Sequence, residues 1–447
     1  MKIVAMIGAF LIFYLAGNLP ALAQDSLQEQ IDSTSVNGVL KIPDGLYIGN
    51  LVIDKPMTII GSGQTIIQGD GTGNVIRITA PQVHLENLII QHSSYDLNGF
   101  EEFSGVRVES NHNSLKDLRI SESFNGVYLY NANDNEVNNV EITGIGKFEI
   151  GGQGNGIQLL NAHNNQLVNN KIHETRDGIY FYQSNGNKID KNLIMRTRYG
   201  FNSYYTKNNE FTGNTFTNND SGVVITYSKN TTISDNEFSF HRGTKAFGLV
   251  IQSSSVVQIK GNRFYENVRG LYIDQSLEGN IENNQFIRNQ VGIELWASSN
   301  KQVFSQNKFE HNTMPVATIG GIGKNEWSKN KRGNYWGETK PVFDLNQDGY
   351  GDIPVEYNSS LSNLIQKNEL IFLFLHSPGV QIYEKINEFL NKNEIVFIDH
   401  YPLVDNAPKK SLLRDLVFVI LLILGMNLLF RANALYFVSK FSKEKKR

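Results

Sequence analysis

Between residues 104 and 310 the chain alternates apolar and polar positions in short runs that recur on a fixed beat. The runs SGVRVES, NGVYLYN, NGIQLLN, DGIYFYQ, YGFNSYY, SGVVITY, FGLVIQS, RGLYIDQ and VGIELWA place glycine at 105, 126, 156, 178, 200, 222, 248, 270 and 292. The intervals are 21, 30, 22, 22, 22, 26, 22 and 22 residues. After each glycine the first and third residues are apolar, as in Ile179/Phe181, Leu271/Ile273 and Ile293/Leu295, while the second and fourth often are not. A period of two is a strand with one buried face. No run of ten residues in this region keeps the 3.6 period of an amphipathic helix, which excludes helical and leucine-rich repeats.

A second mark follows each glycine by 14 or 15 residues and sets asparagine at 170, 192, 214, 236, 262, 284 and 307. Short strands joined by turns on a beat near 22 residues predict an all-β fold, a right-handed parallel β-helix of about 22 residues per coil. The asparagines then form one column at a corner, each amide bonding the next coil. Two intervals are long. Residues 144–152 and the stretch from His241 to Phe247 are insertions at one and the same corner, which makes that edge the expected working side.

The ends carry other patterns. Residues 1–23 read as a cleaved secretory signal peptide: Lys2, an apolar run, then Ala21-Leu22-Ala23. Residues 24–330 form the β-helix, with 38–92 as irregular early coils, and 331–358 form a capping segment. Residues 359–410 predict a helical periplasmic segment whose apolar residues Ile382, Ile386, Phe389 and Leu390 share a face, packed on the β-helix end or on a membrane partner. Residues 411–438 predict a transmembrane anchor with the uncharged core Leu416–Phe430, and 439–447 a basic cytoplasmic tail. The body is then periplasmic, held on the cytoplasmic membrane by its C-terminal helix.

Composition narrows the chemistry. Net charge is −3 and the pI is near 6.3, so no basic field invites nucleic acid. The chain has no cysteine, which excludes disulfides, thiolate metal sites and a cysteine nucleophile. The outward positions after the glycines carry an aromatic stripe, Tyr128, Tyr130, Tyr180, Tyr182, Tyr204, Tyr272 and Trp296, interleaved with Gln158, Asn202, Gln252, Asp274 and Glu294. Such a surface suits a protein partner or stacked sugar rings. The best approach to a catalytic cluster is Arg176, Asp177, Tyr180 and Arg198, a single acid with two arginines, which a corner salt bridge explains equally well.

Two metal readings arise. His173 and Met195 occupy equivalent outward positions on adjacent coils, about 5 Å apart. Imidazole with thioether is a soft pair suited to Cu(I). His241 lies on the neighbouring inserted corner, and His311 with Met314 closes the last coil. Separately, Asp344, Asn346, Asp348 and Asp352 have the spacing D-x-N-x-D-G-x-x-D, with Gly349 at the turn. These are hard oxygen ligands for Ca²⁺, although the twelfth position of a full EF-hand loop is Val355. The other reading is a set of Asx turns that close the β-helix.

The run Gly333-Asn334-Tyr335-Trp336, the loop from Asp344 to Asp352, and the later HSPGVQIYEKINEFL and IDHYPLVDNAP segments together resemble the NosD family. That resemblance covers nearly the whole chain and implies a non-enzymatic role. The implied role is as the periplasmic part of an ABC-type complex that helps load copper into nitrous oxide reductase and assemble its copper–sulfur cluster. Its implied partners are an ABC permease with its ATPase, a copper chaperone and the reductase. The rival reading from the fold is a periplasmic protein that binds, cleaves or epimerises polysaccharide, and a plain surface scaffold is a third.

Overall fold

A computed structural model describes residues 26–404 apart from 96–101, 147–148, 244–245, 338–341, 359–360, 362–364, 366–370, 372–373, 376 and 391–394. Within it the repeat winds into a right-handed parallel solenoid of about 12 turns. The glycine-led strands stack into a 12-stranded parallel sheet ending at Met314–Ile319. Most coils then add two short strands, such as Gln166–Val168 and Lys171–His173, which stack in two further rows. Register holds from coil to coil: Ile157 pairs with Ile179, and Ile179 with Phe201.

That constancy follows from what points inward. Ile179, Phe181, Ile189 and Ile194 are buried, and the inward phenylalanines 216, 238, 264, 286 and 309 stack face to face at 5.5, 4.9, 4.7 and 5.0 Å. The glycine column exists because this core crowds it. A Cβ on Gly178 would stand 2.3 Å from Ile194 Cγ2 and 2.6 Å from the Gly200 carbonyl oxygen.

The asparagine column is a ladder, as the spacing predicts. At each rung the Oδ1 accepts from the backbone N–H and the Nδ2 of the preceding rung, from Asn170 at 2.9 and 2.9 Å to Asn307 at 3.0 and 2.9 Å. Each Nδ2 also donates to a main-chain carbonyl of the previous coil, as Asn262 does to Ile233 at 2.8 Å. The residue before each rung from Asn170 to Asn307 sits in the left-handed region, for example Lys191 at φ 54° and Asp235 at φ 57°. A tight corner of that kind leaves N–H and C=O groups that the strands do not pair, and the amides satisfy them.

Two further ladders were not singled out from the sequence. One runs through Asn113, Asn135, Asn165, Asn187 and Asn209. The other contains His241 in an asparagine's place. Its Nδ1 accepts from Asn219 N–H at 3.2 Å, and its backbone N–H donates to Asn267 Oδ1 at 3.2 Å. His241 is therefore a buried corner residue and not a surface ligand; burial pushes its imidazole down to about 4.

Both ends are sealed. The helix Leu27–Ser33, started by a Ser26/Glu29 capping box, buries Leu27 and Ile31. Its Gln28 amide pairs with the N–H and C=O of Val52, so a side chain blunts that strand edge. At the other end Asn334 is the last rung and Trp336 lies on Phe309 at 4.6 Å, while Trp327 lies on Phe304 at 4.3 Å. An antiparallel pair, Val355–Asn358 with Ile395–Asp399, closes over them and sets Phe397 3.8 Å from Trp327. Buried Asp399 accepts from Asn334 N–H at 2.7 Å, Trp336 Nε1–H at 2.9 Å and Tyr401 N–H at 3.1 Å. Burial nevertheless raises its carboxyl above the usual range.

The C-terminal expectations change accordingly. The 359–410 segment is not simply helical: it holds the helix Pro378–Phe389 and the cap strand Ile395–Asp399. The helix residues Ile382, Ile386, Phe389 and Leu390 are exposed, because the aromatic cap already fills the solenoid's end. Leu361, Ile365 and Leu375 instead pack on the outer side of the last coil, against Val291, Met314, Ala317 and Ile319. The signal-peptide, transmembrane and tail segments, 1–23, 411–438 and 439–447, lie outside the described residues. Among the described residues no helix is long and apolar enough to cross a membrane.

Asn262→Ala would strip partners from Asn236 and from the Ile233 carbonyl. A loss of about 2–4 kcal/mol in urea unfolding of the central coils is expected. The neighbouring-column control Asn283→Ala, left-handed but exposed, should cost about 1 kcal/mol. Asp399→Ala should red-shift tryptophan emission from Trp327 and Trp336 while leaving amide protection in coils 104–300 unchanged.

Candidate functional site

The sequence carries three insertions, 92–103, 144–153 and 241–246, and their described residues lie at the corner that leads into the glycine-led strands at Gly105, Gly156 and Gly248. Two of these are the ones expected from the broken period. Between the second and third lie the coils of Gly178, Gly200 and Gly222, which carry none.

The aromatic stripe lies on the outer face of the glycine-led sheet, but it is not one open surface. Tyr128 is buried: Arg107 covers its ring at 4.9 Å, and beside it Glu102 accepts from the Gln158 amide. Burial and Glu102 together push the Tyr128 hydroxyl up to about 12. At the far end Trp296 is partly covered by the segment that contributes Leu361, Ile365 and Leu375. Tyr130, Tyr180, Tyr182, Tyr204 and Tyr272 are partly buried and reach solvent only in part. Tyr180 and Tyr204 meet at 6.4 Å across adjacent coils, with Tyr182 beside them.

The interleaved polar residues are more buried than an outward position suggests, because they pair sideways. Gln158, Asn202, Asp274 and Glu294 are all buried. Glu294 holds the buried Arg269 at 2.6 Å, an ion pair invisible in sequence because its partners are 25 residues apart on adjacent coils. Asp177 and Arg198 form a two-pronged pair at 2.9 and 2.8 Å, and Asn202 donates to the same carboxylate at 3.1 Å. The structure thus gathers Asp177, Arg198 and Tyr180 and ties up their one acid. Arg176 turns instead to Asn155 Oδ1 at 3.3 Å.

Composition separates this face from the others. None of the ten glycine-led and terminal strands from Ser104–Val108 to Met314–Ile319 contains a lysine. The other two rows carry Lys116, Lys171, Lys188, Lys229, Lys260 and Lys308. Tyrosine, tryptophan and arginine without lysine is the composition of protein contact surfaces.

His173 and Met195 lie on a different sheet, in direct register on adjacent strands. His173 Nε2 shares a hydrogen bond with Thr143 Oγ1 at 3.3 Å, and its Nδ1 is buried without a hydrogen-bond partner among the described residues. Burial lowers the imidazole's proton affinity. The Met195 sulfur accepts from Arg196 Nη1–H at 3.7 Å, and Arg196 also bonds Glu174 at 3.0 Å. The His311/Met314 combination is not assembled: Met314 is buried in the cluster under the C-terminal segment, while His311 is exposed.

In the acidic loop the side chains bond their own backbone. Asp344 accepts from Gly349 N–H at 2.9 Å, Asn346 from Asp348 N–H at 3.0 Å and Asp348 from Tyr350 N–H at 2.9 Å. Asp352 accepts from Leu345 N–H at 2.6 Å and from the Asn346 amide at 3.1 Å. This is the Asx-turn arrangement. Among the described residues no three His, Cys, Asp or Glu side chains converge to hold a metal ion.

Comparison with known proteins adds two kinds of likeness. The fold is shared with solved structures at low identity. The Azotobacter vinelandii mannuronan C-5 epimerase AlgE6 A-module matches with a TM-score of 0.55 and 13% identity, over 70% of this chain and 94% of that one. The Yersinia enterocolitica family 28 exopolygalacturonase matches with a TM-score of 0.55 and 11% identity, over 71% and 77%. These establish the solenoid and nothing of its chemistry. A family profile described as "Periplasmic copper-binding protein (NosD)" matches residues 139–340. Two curated relatives, each named "Probable ABC transporter binding protein NosD", are both 34% identical. The Stutzerimonas stutzeri protein aligns over 76% of this chain and 81% of its own length, the Pseudomonas aeruginosa protein over 84% and 90%. The chain belongs to the NosD family.

Proposed function

We propose that this chain is a non-enzymatic, periplasmic accessory protein of an ABC-type system, serving copper insertion and copper–sulfur cluster assembly in nitrous oxide reductase. In this reading it works with an ABC permease and its ATPase, receives copper from a chaperone, and presents the reductase with the face between its insertions. The apolar run 416–430 would tether it at the permease. Family membership and the relatives' names support the ABC-linked role. The observation that supports the docking role is the lysine-free sheet face with the partly exposed Tyr180, Tyr182 and Tyr204 on the coils between two insertions. Tyrosine offers large contact area at little cost in rotamer entropy, and such anchors dominate binding energy.

The polysaccharide reading has the fold in its favour, and the partly exposed tyrosines could stack sugar rings. Against it stands Asp177, whose carboxylate is already held by Arg198 and Asn202.

Affinity purification of the full chain from detergent-solubilised membranes, with mass spectrometry, tests the proposal. An ABC permease and ATPase should be recovered, and apo-reductase added to the purified complex should be retained. Tyr180→Ala with Tyr204→Ala should cut reductase retention at least fivefold and leave the transporter bound. Lys188→Ala with Lys229→Ala, on another row, should change neither. Recovery of no transporter, with binding or cleavage of acidic polysaccharide by the same preparation, would overturn it.

A further inference from the structure

The helix Pro378–Phe389 is fastened at its start and bare along one side. Ser377 caps it by accepting from Val380 N–H at 3.3 Å, and a proline opens its first turn. Val380 packs on the cluster that contains Met314, Leu361 and Leu375, on the outer side of the last coil. Beyond it Ile382, Ile386 and Phe389 recur at i, i+4 and i+7, with Tyr383 and Leu390 beside them. All five are exposed, Phe389 by 86%. That spacing makes one apolar stripe, on a different side of the helix from Val380. A helix of 12 residues is marginal in water unless its apolar face is covered.

The onward path of the chain indicates the cover. Leu403 N–H donates to the Asn334 carbonyl at 2.9 Å and Val404 N–H to the Gly349 carbonyl at 3.1 Å, so the chain leaves the described residues from the solenoid's C-terminal cap. Residues 405–415 follow, and then the uncharged apolar run Leu416–Phe430. Fully extended, 405–415 spans at most about 40 Å, so a bilayer that holds the run lies within that distance of the cap. Bare apolar groups collect at the same end. Most of the exposed large apolar side chains among the described residues lie beyond residue 320, with Ile322, Phe343, Leu345 and Ile353 among them. Such a concentration is unfavourable in water and favourable against lipid.

The stripe suits lipid better than a second copy of the chain. Its five side chains offer less than the roughly 800 Å² per partner of a standard protein interface. A tethered helix needs no such area, because the tether keeps the stripe at the bilayer surface. The helix residues Glu384, Lys385 and Glu388 give no basic excess, so the contact rests on apolar burial and needs no anionic headgroup.

We infer that Pro378–Phe389 is an interfacial helix whose Ile382, Ile386 and Phe389 stripe lies in the lipid surface, at the boundary of headgroups and acyl chains. It holds the capped end of the solenoid against the membrane, where residues 405–415 alone would let it swing. The inference rests on the membrane tether in the function proposed above.

The test is spin labelling of the full-length chain in phosphatidylcholine vesicles, which the absence of native cysteine makes site-specific. Nitroxides on Ile386→Cys and Phe389→Cys should collide with oxygen, which concentrates in lipid, and be shielded from an aqueous nickel chelate. Their oxygen-to-nickel collision ratio should exceed that of Lys188→Cys, exposed on a middle coil, at least fivefold. Adding Ile382→Asp to Phe389→Cys should bring the ratio down to the Lys188→Cys value, while the chain still floats with the vesicles through 416–430. Circular dichroism of each variant should be unchanged, since these side chains are exposed. Equal ratios at 386, 389 and 188 in a chain that floats would overturn the interfacial helix and leave the tether standing. Labels shielded from both reagents would overturn it in favour of contact with a second copy. A chain that does not float overturns tether and helix together. The ABC-linked role is judged separately, by transporter recovery.

Discussion

Corner amides hold this molecule together. A parallel solenoid must turn its chain three times per coil, and each turn leaves main-chain donors and acceptors that no strand can pair. The ladder from Asn170 to Asn334 answers this with one residue type, each amide accepting from the rung before it and donating to the coil behind it. Because every rung is bonded to its neighbours, the spacing of coils is fixed, and with it the register of every outward column. The phenylalanine stack inside and the glycine column beside it are the packing counterparts of the same constraint.

Fixed register is what permits function to be written in columns. The outward column of the glycine-led sheet gathers tyrosines and arginines; the outer columns of the other two rows gather lysines, glutamates and the His173/Met195 pair. The long insertions that break the period between Gly126 and Gly248 enter where the chain approaches the glycine-led sheet. The C-terminal segment completes the design: Asp399 fixes the last ladder rung, and Leu361, Ile365 and Leu375 cover the last coil's outer face. The family-like Gly333-Asn334-Tyr335-Trp336 run thus has a physical meaning. Asn334 ends the ladder and Trp336 ends the aromatic stack.

The sequence alone makes the solenoid, its pitch and its main ladder readable because they rest on strict repetition of Gly and Asn. The inserted corner is readable too, since an insertion breaks a period visibly. What escapes is whatever pairs sideways between coils. Nothing in the sequence marks Glu294 as the partner of Arg269, or shows Tyr128 as covered by Arg107. His241 misleads for a related reason: one histidine next to an insertion reads as a surface ligand, whereas the column it occupies, with Asn219, Asn267 and Asn289, shows it as a ladder rung. The apolar helix face with Ile382 and Ile386 follows the 3.6 period, but periodicity cannot say that the solenoid's end is already filled by Trp327, Trp336 and Phe397.

In the proposed function one face of the solenoid receives a protein client while the ladder holds that face rigid. Hydrogen–deuterium exchange on the membrane-extracted complex, with and without apo-nitrous oxide reductase, addresses it directly. Added protection is expected in peptides spanning the 144–153 and 241–246 insertions and the strands Asp177–Tyr182 and Tyr199–Tyr204 between them. Protection confined to the lysine-bearing rows, or none at all with the client bound, would contradict it.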